Sequence, residues 1–243
     1  MNQPSNPLHP AAPRIPPSPP PILPESNFAA IIEALLKRPA ALIAALQQAP
    51  NARLAFELTA VAFLALAGYG LVVGSFSGGN QWAAAPLKIS LGALASLLIC
   101  LPSLFIFACL TGADVLLRGI CGVACAMLAL AALLLVGFAP VAWVFSQSTE
   151  SIAFIGTLHL IFWIIGLSFG LRLLRTLMDS LRVPDRMHLK VWSLIFILVS
   201  LQMTTALRPI VGTSETWLPT EKKFFLAHWF DSITHDARAS SRD

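Results

Sequence analysis

Five stretches of about twenty residues, each apolar and nearly free of charge, limit what this chain can fold into. They fall at about 54–74, 89–110, 119–138, 152–174 and 189–207. About 20 predominantly apolar residues is the length at which an α-helix crosses the hydrocarbon layer of a bilayer. The expected fold class is therefore all-α, a polytopic membrane helix bundle of five transmembrane helices with flanking interfacial helices. Composition agrees, because 56% hydrophobic residues against 12% charged is more apolar surface than a soluble domain of 243 residues could bury in one core.

The cations say which way the spans run. Arg172, Arg175, Arg182, Arg186 and Lys190 crowd the segment 172–190, and short loops rich in Lys and Arg stay cytoplasmic. That places the N-terminus inside and the tail after the fifth span outside. Lys37, Arg38, Arg53 and Arg118 then also fall inside, while Lys88, Arg208, Lys222 and Lys223 fall outside. The net charge of +4 reads as this topology signal and not as an aromatic-interleaved nucleic-acid patch, so no nucleic-acid partner is expected. Loops are expected at 75–88, with a turn at Gly78-Gly79, at 111–114, and at 139–151, where Trp143 stands and Lys and Arg are missing. Ala/Leu-rich usage fits a bacterial inner membrane.

Outside the spans the chain changes character. Residues 1–25 are dense in proline, which excludes helix and predicts a disordered or polyproline II cytoplasmic tail. Arg14, Pro17 and Pro20 fit the R-x-x-P-x-x-P pattern of SH3 ligands, although such matches arise by chance in any proline run. The polar start shows no cleavable signal, so the first span is expected to direct insertion. Two short amphipathic helices are expected within 26–48: Phe28, Ile31, Ile32, Leu35 and Leu36 recur at helical spacing until Pro39, and Leu42, Ile43 and Leu46 follow. Both are too short to span, and with Lys37 and Arg38 beside them they suit the headgroup layer. In the extracytoplasmic tail 208–243, Leu226, Trp229, Phe230 and Ile233 line one face of an expected interfacial helix at 220–233.

Ionisable and polar groups inside spans are costly and mark candidate sites. Glu57 sits one turn into the first span, placed to pair with Arg118 or Arg172 or to serve as a proton or cation site. His159 and Gln202 lie at comparable depth in the fourth and fifth spans. They could bond to each other, or form a small intramembrane ligand site with Thr204, Thr205 and Arg208. Arg208 could equally anchor its helix at the headgroups by snorkelling. Cys121 and Cys125 are one helical turn apart, a soft-metal spacing, but two thiols would need Cys100 or Cys109 to close a site. Gly119, Gly122, Ala124 and Ala126 around them favour packing, and all four cysteines lie in or beside spans, so neither metal nor disulfide is expected. Gly70-x-x-x-Gly74 and Gly166-x-x-x-Gly170 are small-x-x-x-small motifs that let helix backbones approach. Pro102 should kink the second span or free a carbonyl. No H-E-x-x-H, G-x-S-x-G, P-loop or intraspan carboxylate pair is present, so no catalytic residue and no cofactor is expected.

Gln202-Met203-x-Thr205-x-Leu207-Arg208-Pro209-x-x-Gly212, with Phe224-Phe225 after it, resembles the end of the last span in a group of uncharacterised bacterial multi-pass inner-membrane proteins. The likeness extends to Cys100-Leu101-Pro102-Ser103-Leu104 and to Ala139-Pro140-Val141-Ala142-Trp143, and covers about residues 54–229. Such proteins are sometimes labelled as carrying an actin-binding WH2 domain, but no L-K-K-V-type core is present in this chain. A cytoplasmic interfacial segment followed by five spans is also similar in architecture to the Yip1 family of membrane-organising proteins. The functional expectation is a non-catalytic membrane-organising or accessory protein, with the lipid bilayer and a membrane-protein partner or a second copy of the chain as its partners. The alternative is a small oligomeric transporter or channel.

Overall fold

The computed structural model of the chain describes residues 28–48, 52–77, 81–113, 115–149, 151–181 and 186–206. Among them run seven α-helices and no strand: α1 Phe28–Lys37, α2 Pro39–Gln48, α3 Ala52–Ser77, α4 Gln81–Leu110, α5 Leu117–Ser148, α6 Ile152–Ser180 and α7 Arg186–Ala206. The last five are long and apolar enough to cross a membrane. The expected proline-rich tail, the Gly78-Gly79 turn, Arg182, Arg208 and the 220–233 helix lie outside the described residues.

α5 is the centre of the bundle. Its Ala- and Gly-rich sequence leaves a slim cylinder, and it is buried almost continuously from Gly119 to Ala129. α3 packs along it in parallel, as the approach of Thr59 to Cys125 and of Gly68 to Val136 shows. α6 packs along it antiparallel, with Gly166 and Gly170 against Leu135, Ala131 and Met127. α4 lies on α3, and α7 lies on α4. Lipid tails are as apolar as leucine, so close van der Waals packing and hydrogen bonds hold these helices together. Glycine supplies the closeness. A Cβ at Gly170 would stand 2.7 Å from the Met127 carbonyl oxygen, and one at Gly70 would stand 2.5 Å from Pro86 Cα.

The outward face is apolar. Leu91, Leu98, Ile99 and Ile106 on α4 and Met187, Val191, Leu194 and Leu198 on α7 recur at helical spacing and are exposed, Leu98 by 70%. Such stripes suit acyl chains, not water.

The spans run further than their apolar cores foretold. The expected loop 139–151 is helical to Ser148, with Ala139, Ala142 and Ser146 continuing the buried face through Pro140. Proline is tolerated there because bundle neighbours re-satisfy or exclude the backbone groups it frees. At about 1.5 Å per residue the 32 residues of α5 exceed the roughly 30 Å hydrocarbon layer. The expected loop 75–88 is helical from Gln81, and most of 172–190 is helical on either side of 182–185.

Helix ends follow local chemistry. Gly112, at φ 76°, turns the chain after α4 and donates its N–H to the Cys109 carbonyl. Ser151 Oγ caps α6 by accepting from the Phe154 N–H at 3.3 Å. Pro39 opens α2, where its missing N–H has no helical partner to lose. α1 and α2 pack on the end of the bundle where α3 and α5 begin. Their stripes, Ile31 and Leu35, then Leu42 and Leu46, are buried in the common core. Arg53, Arg118, Arg175 and Lys190 gather at this same end, together with Lys37 and Arg38.

Candidate functional site

Interior polar groups of the bundle resolve into separate pairs, and one pair of two polar side chains is Tyr69 with His159. The Tyr69 hydroxyl lies 2.6 Å from His159 Nδ1, and the rings meet edge to face at 5.4 Å between centroids. Tyr69 stands eight residues, about 12 Å, before the end of α3, and His159 seven residues inside α6. The pair thus ties α3 to α6 inside the span. One turn on, Phe162 stacks on Phe138 of α5 at 4.8 Å and dries that side. When the phenol donates to Nδ1, the imidazole carries its proton on Nε2. Such a couple can fix helix register or hand on a proton.

His159 therefore bonds Tyr69 and not Gln202, the partner expected for it. α6 packs on α5 whereas α7, which carries Gln202, packs on α4. Thr205 is in the last turn of α7, its side chain undescribed, and Arg208 is beyond the described residues. The expected cluster of His159, Gln202, Thr205 and Arg208 is thus not brought together by the described residues.

Glu57 finds its cation within its own helix. Its Oε1 accepts from Arg53 Nε at 2.9 Å, one turn earlier on α3, in place of the expected Arg118 or Arg172. The i, i+4 spacing makes this contact available before any tertiary packing. Twelve residues, about 18 Å, separate Glu57 from Tyr69 along α3, so the two do not share a site.

A second interhelical bond links α7 to α4. Trp192 Nε1 donates to the Cys100 carbonyl at 2.9 Å, and the same oxygen accepts from Ser103 Oγ at 2.8 Å. Pro102 lies within this turn, so the frame expected to kink or free a carbonyl is where α7 is keyed in. Trp192 is fully buried and stacks on Phe196. Lys88, expected at the end of the extracytoplasmic loop 75–88, is buried within α4; the nearby Ser90 hydroxyl reaches the Pro86 and Phe63 carbonyls. A third contact joins α3 to α5 through Thr59 and Cys125 at 3.3 Å.

Tyr69 and Trp192 were missed as site residues in the sequence, yet each carried a signal. Tyr69 is the chain's single tyrosine, placed within a span, and a buried tyrosine hydroxyl or tryptophan N–H needs a partner.

Fold and surface define a membrane-embedded helical protein with candidate transmembrane helices. No family model matches the chain, and no curated protein or solved structure matches it.

Proposed function

We propose that the chain is a multi-pass protein of a bacterial inner membrane, its N-terminus cytoplasmic, which organises or accompanies other membrane components without catalysing a reaction. The observation that carries this reading is the dispersal of the polar contacts. Tyr69–His159, Trp192–Cys100, Thr59–Cys125 and Arg53–Glu57 occupy four different places and bond to each other, so they act as ties between or along helices. Partner recognition then falls to the apolar outer stripes of α4 and α7 and to the proline-rich tail. The cations gathered where α3, α5 and α7 begin support the cytoplasmic assignment of that end. The resemblance at 202–212 supports the bacterial source.

Copurification after mild detergent extraction tests the reading. It expects a stoichiometric membrane-protein partner or a second copy of the chain. Recovery of a bare monomer from native membranes, with no crosslinked neighbour, contradicts it. The second reading, a small oligomeric transporter or channel, is favoured by the buried Tyr69–His159 couple. Flux in proteoliposomes that is lost in Y69F and H159A would establish it and displace the first.

A further inference from the structure

The two cysteines of α5 lie outside both functional readings. Cys121 and Cys125 are the fifth and ninth residues of α5, one turn apart and so neighbours on one face of the helix. Cys125 is buried and also lies 3.3 Å from Thr59 Oγ1 of α3. That hydroxyl is 2.8 Å from the Ala55 carbonyl as well, so its one proton serves either acceptor. Cys121 is half-buried. Leu46 of α2 covers the flank, since a Cβ on Gly122 would stand 2.6 Å from its Cδ2. Arg118 lies one turn before Cys121, and the first N–H groups of α5 point the same way along the axis.

We propose that Cys121 and Cys125 form a two-coordinate site for a thiophilic monovalent cation, Cu(I), at the basic end of α5. Soft thiolates select Cu(I), which accepts two sulfurs in line, whereas Zn2+ requires four ligands. Among the described residues no three His, Cys, Asp or Glu side chains come together to hold a metal, so the donor set fits the lower coordination number. Cys100 is buried on α4 and Cys109 is exposed at the end of α4, and neither joins the pair in a group of three among the described residues. Rotation of the two thiols about their χ1 bonds admits the ion between them. Binding breaks two S–H bonds, forms two Cu–S bonds and releases two protons to the buffer. The complex carries one negative charge, which Arg118 and the helix N-terminus offset, and no oxidation state changes.

The full chain in detergent, reduced and kept anaerobic, is titrated with Cu(I) against a Cu(I)-specific chelator. The proposal expects one equivalent bound, lost in C121S and in C125S and retained in C100S and C109S. It also expects two protons released per ion and a sulfur-only coordination shell by X-ray absorption on the unmodified chain. Those last two measurements stand even where a serine variant fails to fold. No binding beyond the chelator, retention of the equivalent in either C121S or C125S, or a shell of nitrogen or oxygen overturns it.

Discussion

Replacing Gly70 by alanine tests the packing of the bundle at one methyl group. In the structure that Cβ would lie 2.5 Å from Pro86 Cα, 2.9 Å from Pro86 N and 3.2 Å from the Ala85 carbonyl oxygen. All three are backbone atoms of α4, so no rotamer change relieves the clash. Ordinary contact begins at 3.4 Å, and α3 and α4 must part by about 0.9 Å locally. Overpacking of this kind costs about 1–3 kcal/mol. Gly170→Ala meets the Met127 carbonyl oxygen at 2.7 Å and belongs in the same range. Gly122→Ala meets only the movable end of Leu46, and Gly137→Ala meets nothing within 4 Å. Reversible unfolding in mixed micelles should therefore rank the variants, with G70A and G170A least stable, G122A intermediate and G137A like the parent. Equal stabilities for G70A and G137A would refute the backbone contact between α3 and α4.

The Tyr69–His159 bond predicts a coupling of about 0.6 kcal/mol, and no more than about 1.7, in a double-mutant cycle of Y69F with H159A. A cycle of H159A with Q202A should be additive, because their helices pack on different neighbours. Trp192→Phe keeps the stack on Phe196 but deletes the N–H to Cys100, and unfolding should register a loss of about 1 kcal/mol. Glu57→Gln keeps an acceptor for an Arg53 that is 67% exposed, so abundance should hold and stability should change by less than about 0.5 kcal/mol. A collapse of E57Q in the same assay would mean that Glu57 serves a partner other than Arg53.

Segment character was legible in the sequence because hydropathy and proline act locally. All five spans were found, and Pro39 divided α1 from α2 where expected. Boundaries were less legible: the expected loops 75–88 and 139–151 hold Pro86 and Pro140, yet each sits within a continuous helix once neighbours cover the freed backbone. Reading the small residues Ala139, Ala142 and Ser146 as one face would have carried α5 onward. Pairings were the least legible. Depth along a span placed His159 and Gln202 at one level, but depth says nothing about which helices are neighbours. α3 and α6 both pack on α5, where Tyr69 reaches His159, whereas α7 packs on α4 and takes Gln202 elsewhere. Glu57 was assigned tertiary partners when a helical neighbour four residues away was nearer.

The proposed topology of five crossings puts the two ends of the bundle's chain on opposite sides of the membrane, and that is the claim to measure. Compartment-sensitive reporters can be fused before α1, within 182–185 and after α7 in otherwise intact chains. The account predicts cytoplasmic signals at the first two positions and an extracytoplasmic signal at the third. The same side for the first and third positions would contradict it.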